Sequence, residues 1–195
     1  MIMKPSMLLY IHGFNSSPQS LKANVMRDYC QFHRPDIRVE IPRLPSFPEQ
    51  AAAHLLAIVE QHRHDYQIAL VGSSLGGYLS MWLNQKFGFK AVVINPAIKP
   101  YELLADFLGP QKNPYTQEEY CLQACHIEEL KALDTEVIAN PSDFWLLQQT
   151  GDEVLDYRQA VSKFAGAKQT VIEGGDHSFV GFEYYPAAIV EFLAL

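Results

Sequence analysis

The chain has few cysteines, an acidic excess and no long apolar run, and each of these narrows what it can be. Three cysteines in 195 residues, Cys30, Cys121 and Cys125, do not make a disulfide framework and fit a reducing, cytoplasmic setting. Cys121 and Cys125 stand four apart with His126 adjacent, but no second Cys/His pair completes the ligands of a zinc site, so no metal is expected. Fifteen Lys and Arg against 22 Asp and Glu leave a net charge of −7, which disfavours nucleic acid and anionic membranes as main partners. No apolar stretch nears the ~20 residues that span a bilayer. Met1-Ile2-Met3-Lys4-Pro5-Ser6 meets the first strand too soon for a secretory signal, so no export is expected. Internal repeats, low-complexity linkers, a Walker phosphate loop and a Gly-x-Gly-x-x-Gly fingerprint are all missing, and no cofactor is expected.

What remains is globular: 48% hydrophobic and 19% charged, of a length that suits one domain over residues 1–195. Apolar runs at 7–11, 37–41, 68–71, 90–95, 144–149 and 169–173 read as strands alternating with helices, the pattern of a parallel sheet of about six strands with helices on both faces. Ser17 and Pro18 suit the start of the first helix, with Leu21, Val25, Met26, Tyr29 and Phe32 as its buried stripe. Ser46-Phe47-Pro48-Glu49 fits a capping box for the next helix, which runs through Leu55, Leu56 and Val59. The alternation stops at about 99–135. There an amphipathic stretch with Tyr101, Leu103, Leu104, Phe107 and Leu108 precedes a polar segment and a second helix near 118–132, together expected to form a small helical cap insertion.

Gly72-Ser73-Ser74-Leu75-Gly76 follows the apolar run Ile68-Ala69-Leu70-Val71 and opens a helix closed by Gly88. A strand, a five-residue turn and a helix form the context in which Gly-x-Ser-x-Gly is a nucleophile elbow. Ser74, with Gly72 and Gly76 at minus two and plus two, is the candidate nucleophile rather than Ser73. Side chains at those glycines would strike the neighbouring strand or helix. Alone, the motif reads equally well as a tight packing turn.

A serine nucleophile needs a base and an acid to orient it, in the chain order Ser, Asp or Glu, His. Asp152 follows the strand at 144–149, and His177 follows the strand at 169–173. Both therefore fall at the sheet edge that carries Ser74, where open α/β sheets bind ligands. Glu153 and Asp156 remain rivals for the acid. His33, His54, His62, His64 and His126 read as surface residues of helices. At the first strand, His12-Gly13-Phe14 supplies the remaining part. The N–H of Phe14 and that of Leu75 are the candidate oxyanion donors, and Gly13 leaves room for the substrate carbonyl.

Tyr10-Ile11-His12-Gly13-Phe14-Asn15-Ser16-Ser17-Pro18, the Gly72–Gly77 elbow, Thr150-Gly151-Asp152-Glu153-Val154 and Gly175-Asp176-His177-Ser178-Phe179 together resemble the α/β-hydrolase superfamily, and within it the YqiA-like small bacterial esterases. The resemblance covers nearly the whole chain. It implies an α/β-hydrolase fold, a Ser74-Asp152-His177 triad, and hydrolysis of small-molecule acyl esters, including thioesters such as acyl-CoA; because only six residues precede the first strand, the superfamily's usual leading antiparallel strands are expected to be absent. In that fold an insertion after the fourth strand caps the nucleophile; the apolar side chains of 99–135 serve equally well to pack the insertion onto the body. Within enzymes a peptidase stays open, and the competing reading is a non-catalytic hydrolase-fold module that binds a small molecule or a partner protein.

Overall fold

The computed structural model describes residues 4–195; Met1, Ile2 and Met3, half of the segment read above as too short for a signal, lie outside the described residues. In chain order the strands are β1 (Ser6–Ile11), β2 (Arg38–Glu40), β3 (Gln67–Ser73), β4 (Ala91–Ile94), β5 (Gly109–Lys112), β6 (Glu119–Leu122), β7 (Phe144–Gln149) and β8 (Lys168–Ile172). The helices are α1 (Leu21–His33), α2 (Pro48–His62), α3 (Leu75–Phe87), α4 (Pro100–Leu104), α5 (Ala124–Ala132), α6 (Tyr157–Lys163) and α7 (Pro186–Leu193). Six strands form one parallel sheet in the order β2-β1-β3-β4-β7-β8, while β5 and β6 pair antiparallel by themselves. This is the α/β-hydrolase fold.

The period-two pattern of the strands sorts their side chains onto two cores. Met7, Leu9, Ile11, Leu70, Val93 and Leu146 face the layer that holds α2, α3 and α6. Leu8, Tyr10, Val71, Val92, Ile94 and Leu147 face the layer of α1 and α7. Because the central strands are buried on both faces, they read as unbroken apolar runs. Chain order reverses between β1 and β3, which pair from Ser6↔Gln67 to Ile11↔Gly72. That reversal opens a crevice at the strands' carboxyl ends, the position where doubly wound sheets hold ligands.

Several local expectations are corrected. Helix α1 begins at Leu21, and Ser17 caps only the preceding turn, accepting the Gln19 N–H at 3.0 Å. Its buried face is Ala23, Met26 and Cys30, whereas Leu21 and Phe32 are 68% and 82% exposed. Small residues on that row let α1 lie close to the sheet, which the bulkier row would have held away. Ser46 does not cap α2; Pro48 occupies its first turn and the Glu49 N–H instead finds Glu129 of α5 at 3.1 Å. The insertion is not wholly helical, because residues expected in a helix from 118 form β6 of the hairpin, with α5 starting only at Ala124. Asn113 turns that hairpin, its Oδ1 accepting the N–H groups of Tyr115 and Thr116. His126 and His62 are buried rather than solvated. His126 stacks on Phe47 and its Nδ1 accepts the Gln123 N–H, while His62 packs edge-on to Tyr66. Among the described residues no helix is long and apolar enough to cross a membrane.

Candidate active site

The turn from β3 to α3 carries Ser74 with φ 56° and ψ −121°, a conformation that costs a non-glycine residue about 1–3 kcal/mol. The surroundings hold it there. The Ser74 N–H donates to Ile94 O at 3.0 Å, and its carbonyl accepts from Gly77 and Ala97 at 2.9 and 3.1 Å. The glycines make the turn possible: a Cβ on Gly76 would strike the Ile11 carbonyl, and one on Gly72 the carbonyl of Gly76 and the hydroxyl of Ser80. The result is a serine hydroxyl raised above the crevice at the first turn of α3.

Ser74, Asp152 and His177 come together there. His177 Nε2 lies 3.1 Å from Ser74 Oγ, and His177 Nδ1 lies 2.8 and 3.0 Å from the two oxygens of Asp152. The Asp152 side chain is wholly out of water and that of His177 a quarter exposed. Burial alone would raise the Asp152 carboxyl; the bond to His177 and the N–H groups of Leu155 and Val154 outweigh it and hold it below the usual carboxylate range. The rivals have other roles. Glu153 accepts the backbone N–H of His177 at 3.0 Å, and Asp156 caps α6 by accepting from Arg158 N.

Gly13 lies beside the serine, so closely that a Cβ there would sit 3.1 Å from Ser74 Cβ. Phe14 follows it, and Leu75 is the first residue of α3, so its N–H has no helical partner. Among the described residues neither the Phe14 nor the Leu75 N–H is taken up by a turn or loop hydrogen bond. His12 fixes this loop. Its Nδ1 donates to Gly13 O at 3.0 Å and its Nε2 accepts the Leu44 N–H at 3.2 Å, so the ring sits neutral with both nitrogens occupied. Burial lowers its pKa, although the bond to Gly13 works in the opposite direction.

Two residues missed in the sequence hold the His177 loop. Asn95, fully buried with φ 40°, accepts the Gln149 N–H and donates from Nδ2 to the carbonyls of Asp176 and His177 at 3.0 and 3.3 Å. The Gln149 side chain accepts from Asp176 N and Val180 N and donates to Val180 O. The only sequence signal was a polar residue closing each of two apolar strands.

The loop from His12 to Ser16 divides the crevice. On the α2 and α5 side lies a narrow apolar cleft of about 40 Å³ between Phe14, Leu44, Phe47, Leu75, Leu79 and Leu104. On the α1 side lies a roomier and more polar chamber of about 350 Å³ that contains Ser74 and His177. The insertion leans on the dividing loop: Phe14 meets Phe107 and Tyr120 edge-on, Tyr120 donates to Asn15 Oδ1, and Asn113 donates to Ser16 O. Cys125, His126 and Glu129 do gather within 4.8 Å of one another. However, His126 Nδ1 and the Glu129 carboxylate are already engaged with the Gln123 and Glu49 N–H groups, which makes them parts of helix caps.

Comparison with known proteins agrees with this geometry at the level of family and fold. Residues 7–194 match the family described as "Uncharacterised protein family (UPF0227)". The UPF0227 protein YcfP of Escherichia coli is 31% identical over 99 residues, 49% of this chain and 53% of that protein. A UPF0227 protein of Vibrio vulnificus is 31% identical over 102 residues, 51% and 55% of the two chains. This chain thus spans about half the length of the curated relatives it matches. Among solved structures, a protein of Agrobacterium vitis S4 superposes with TM-score 0.76 at 19% identity over 97% of this chain and 88% of the other. Mouse alpha/beta hydrolase domain-containing protein 10 gives 0.73 at 17%, covering 100% and 91%. Est1E of Butyrivibrio proteoclasticus, solved with ferulic acid bound, gives 0.72 at 14%, covering 98% and 89%. At these identities the structural likeness speaks to the fold.

Proposed function

This chain belongs to the UPF0227 family, and we propose that it is a serine esterase acting on acyl esters, thioesters included, through an acyl-enzyme intermediate. The observation that carries the reading is the unbroken relay from Asp152 through His177 to Ser74, with 2.8 Å and 3.1 Å links. Asp152 holds Nδ1 protonated, which leaves Nε2 free to accept the Ser74 proton. Ser74 Oγ attacks the acyl carbonyl, whose oxygen becomes an anion facing the N–H groups of Phe14 and Leu75. The start of α3 adds its dipole there. The bond from carbonyl carbon to the leaving oxygen or sulfur then breaks, and His177 returns the proton to the leaving group. Water, deprotonated by His177, adds to the acyl-enzyme, and the acid departs with Ser74 restored to its hydroxyl.

The apolar cleft suits the acyl group, because it runs beside Gly13 and Leu75, where the carbonyl would lie. The insertion that presses Phe107 and Tyr120 against Phe14 acts in this reading as the cap over that cleft, keeping water from it. The test is incubation with a fluorophosphonate and, separately, with p-nitrophenyl acetate and acetyl-CoA. A covalent adduct with turnover of either ester supports the esterase. No adduct and no turnover would leave the non-catalytic binding module as the better reading.

A further inference from the structure

The polar chamber beside Ser74 differs from the rest of the crevice in its lining. Tyr10, Ser20, Ser73 and Tyr115 line it, together with one ammonium, Lys22, and one exposed carboxylate, Glu153. Tyr10 is wholly buried, and among the described residues its Oη has no hydrogen-bond partner of good geometry, the side chain of Ser73 approaching it. A buried hydroxyl left unpaired costs about 1–3 kcal/mol, which a ligand hydroxyl reaching it would recover. Lys22 is partly buried, donates to Ser178 O at 2.8 Å, and lies in the field of Asp176 and Asp152. Carboxylates outnumber the ammonium around this chamber, so a phosphate or carboxylate ligand would meet net repulsion. A lining that holds both donors and acceptors instead matches alcohol groups, each of which offers both. Tyr115, 55% exposed, presents a ring against which the C–H face of a sugar can lie.

The chamber also has a defined place in the chemistry. A general acid must reach the leaving oxygen, and His177 lines this chamber and not the apolar cleft. The leaving group therefore departs on this side. Resting on the esterase reading, we propose that the substrate is an ester of a short acid with a hydroxyl-rich alcohol, a sugar or related polyol, whose free hydroxyls are bound by Tyr10, Lys22 and Glu153. Hydrolysis breaks the acyl–oxygen bond, gives the sugar hydroxyl the proton from His177, and leaves the acid after water attacks the acyl-Ser74.

The test compares two acetates of similar bulk, methyl 6-O-acetyl-glucoside and cyclohexylmethyl acetate, in wild type, Tyr10→Phe and Lys22→Met, with fluorophosphonate labelling of Ser74 alongside. The expected result is a kcat/KM ratio of at least about tenfold in favour of the sugar ester, since a site built for hydroxyls rejects an analogue that lacks them. The ratio should fall about tenfold in each variant. The wild-type ratio stands even if a variant fails to fold. Labelling of Ser74 with a ratio at or below one, or with neither acetate hydrolysed, overturns this inference and leaves the esterase reading intact. A ratio unchanged by both substitutions in folded variants overturns it as well. Absence of both labelling and hydrolysis overturns the two together.

Discussion

The Asp152 carboxylate meets His177 Nδ1 through both oxygens, at 2.8 and 3.0 Å, while the neighbouring Glu153 reaches only the backbone N–H of the same histidine. This division sets an order of effects. Asp152→Asn should lower turnover most, by up to roughly ten thousandfold, because an amide favours the wrong imidazole tautomer. Glu153→Gln should cost far less. Asp156→Asn should act on the stability of α6, by about 1 kcal/mol at most, rather than on chemistry. Turnover at saturating ester, with folding checked by circular dichroism, ranks the three; a larger fall for Glu153→Gln would reassign the acid.

Ser73 and Ser74 are neighbours, but only Ser74 faces His177. Ser74→Ala should abolish fluorophosphonate labelling and lower turnover by about a millionfold. Ser73→Ala should leave the label on Ser74. Peptide mass spectrometry locates the adduct, and its appearance elsewhere would refute the assignment.

His12 is buried and lowered in pKa, chiefly by desolvation. The sign follows: the unfolded histidine takes up a proton near about pH 6.5 while the folded one resists, so the unfolded state gains as pH falls below that value. Above it His12 contributes no pH dependence. Urea unfolding at pH 7.5 and 5.5 should show a loss of stability on acidification that His12→Gln reduces. Equal losses in both proteins would remove His12 as a source.

Asn95 ties the end of β4 to the end of β7 and to the His177 loop. Asn95→Ala leaves buried partners unpaired and should cost about 1–3 kcal/mol, with turnover falling more than KM changes. Unfolding curves and steady-state kinetics on the same samples separate the two effects. Unaltered turnover in a folded variant would show that the loop holds its position without this residue.

The apolar cleft is narrow, about 40 Å³. Acetate and butyrate esters of p-nitrophenol should therefore exceed the decanoate in kcat/KM by at least about tenfold, each methylene that lacks room removing favourable burial. A maximum at the decanoate would place the acyl chain elsewhere.

Much of this molecule is written locally. The apolar runs at β1, β3, β4 and β7 needed no tertiary information, because strands buried on both faces must be apolar throughout. The order Ser74, Asp152, His177, each just after a strand, was legible because a parallel sheet sends every carboxyl end to one edge. The αL cap at Gly88 was equally plain, since few other residues adopt φ 70°.

Other features depended on what packs against what. The buried face of α1 is set by its distance from the sheet, so Ala23 and Cys30 turn inward and Phe32 outward, against ranking by hydrophobicity. His126 is buried because Phe47, far away in sequence, supplies a ring to stack on. Asn95 and Gln149 act through hydrogen bonds to loops that come near only after the sheet has formed. The division of the crevice into an apolar cleft and a hydroxyl-lined chamber is of the same kind. Motif spacing determines where the candidate nucleophile, base and acid stand along the chain. What surrounds them is decided in space, because a pocket wall is made of residues from several elements, and no local pattern records which of them will meet.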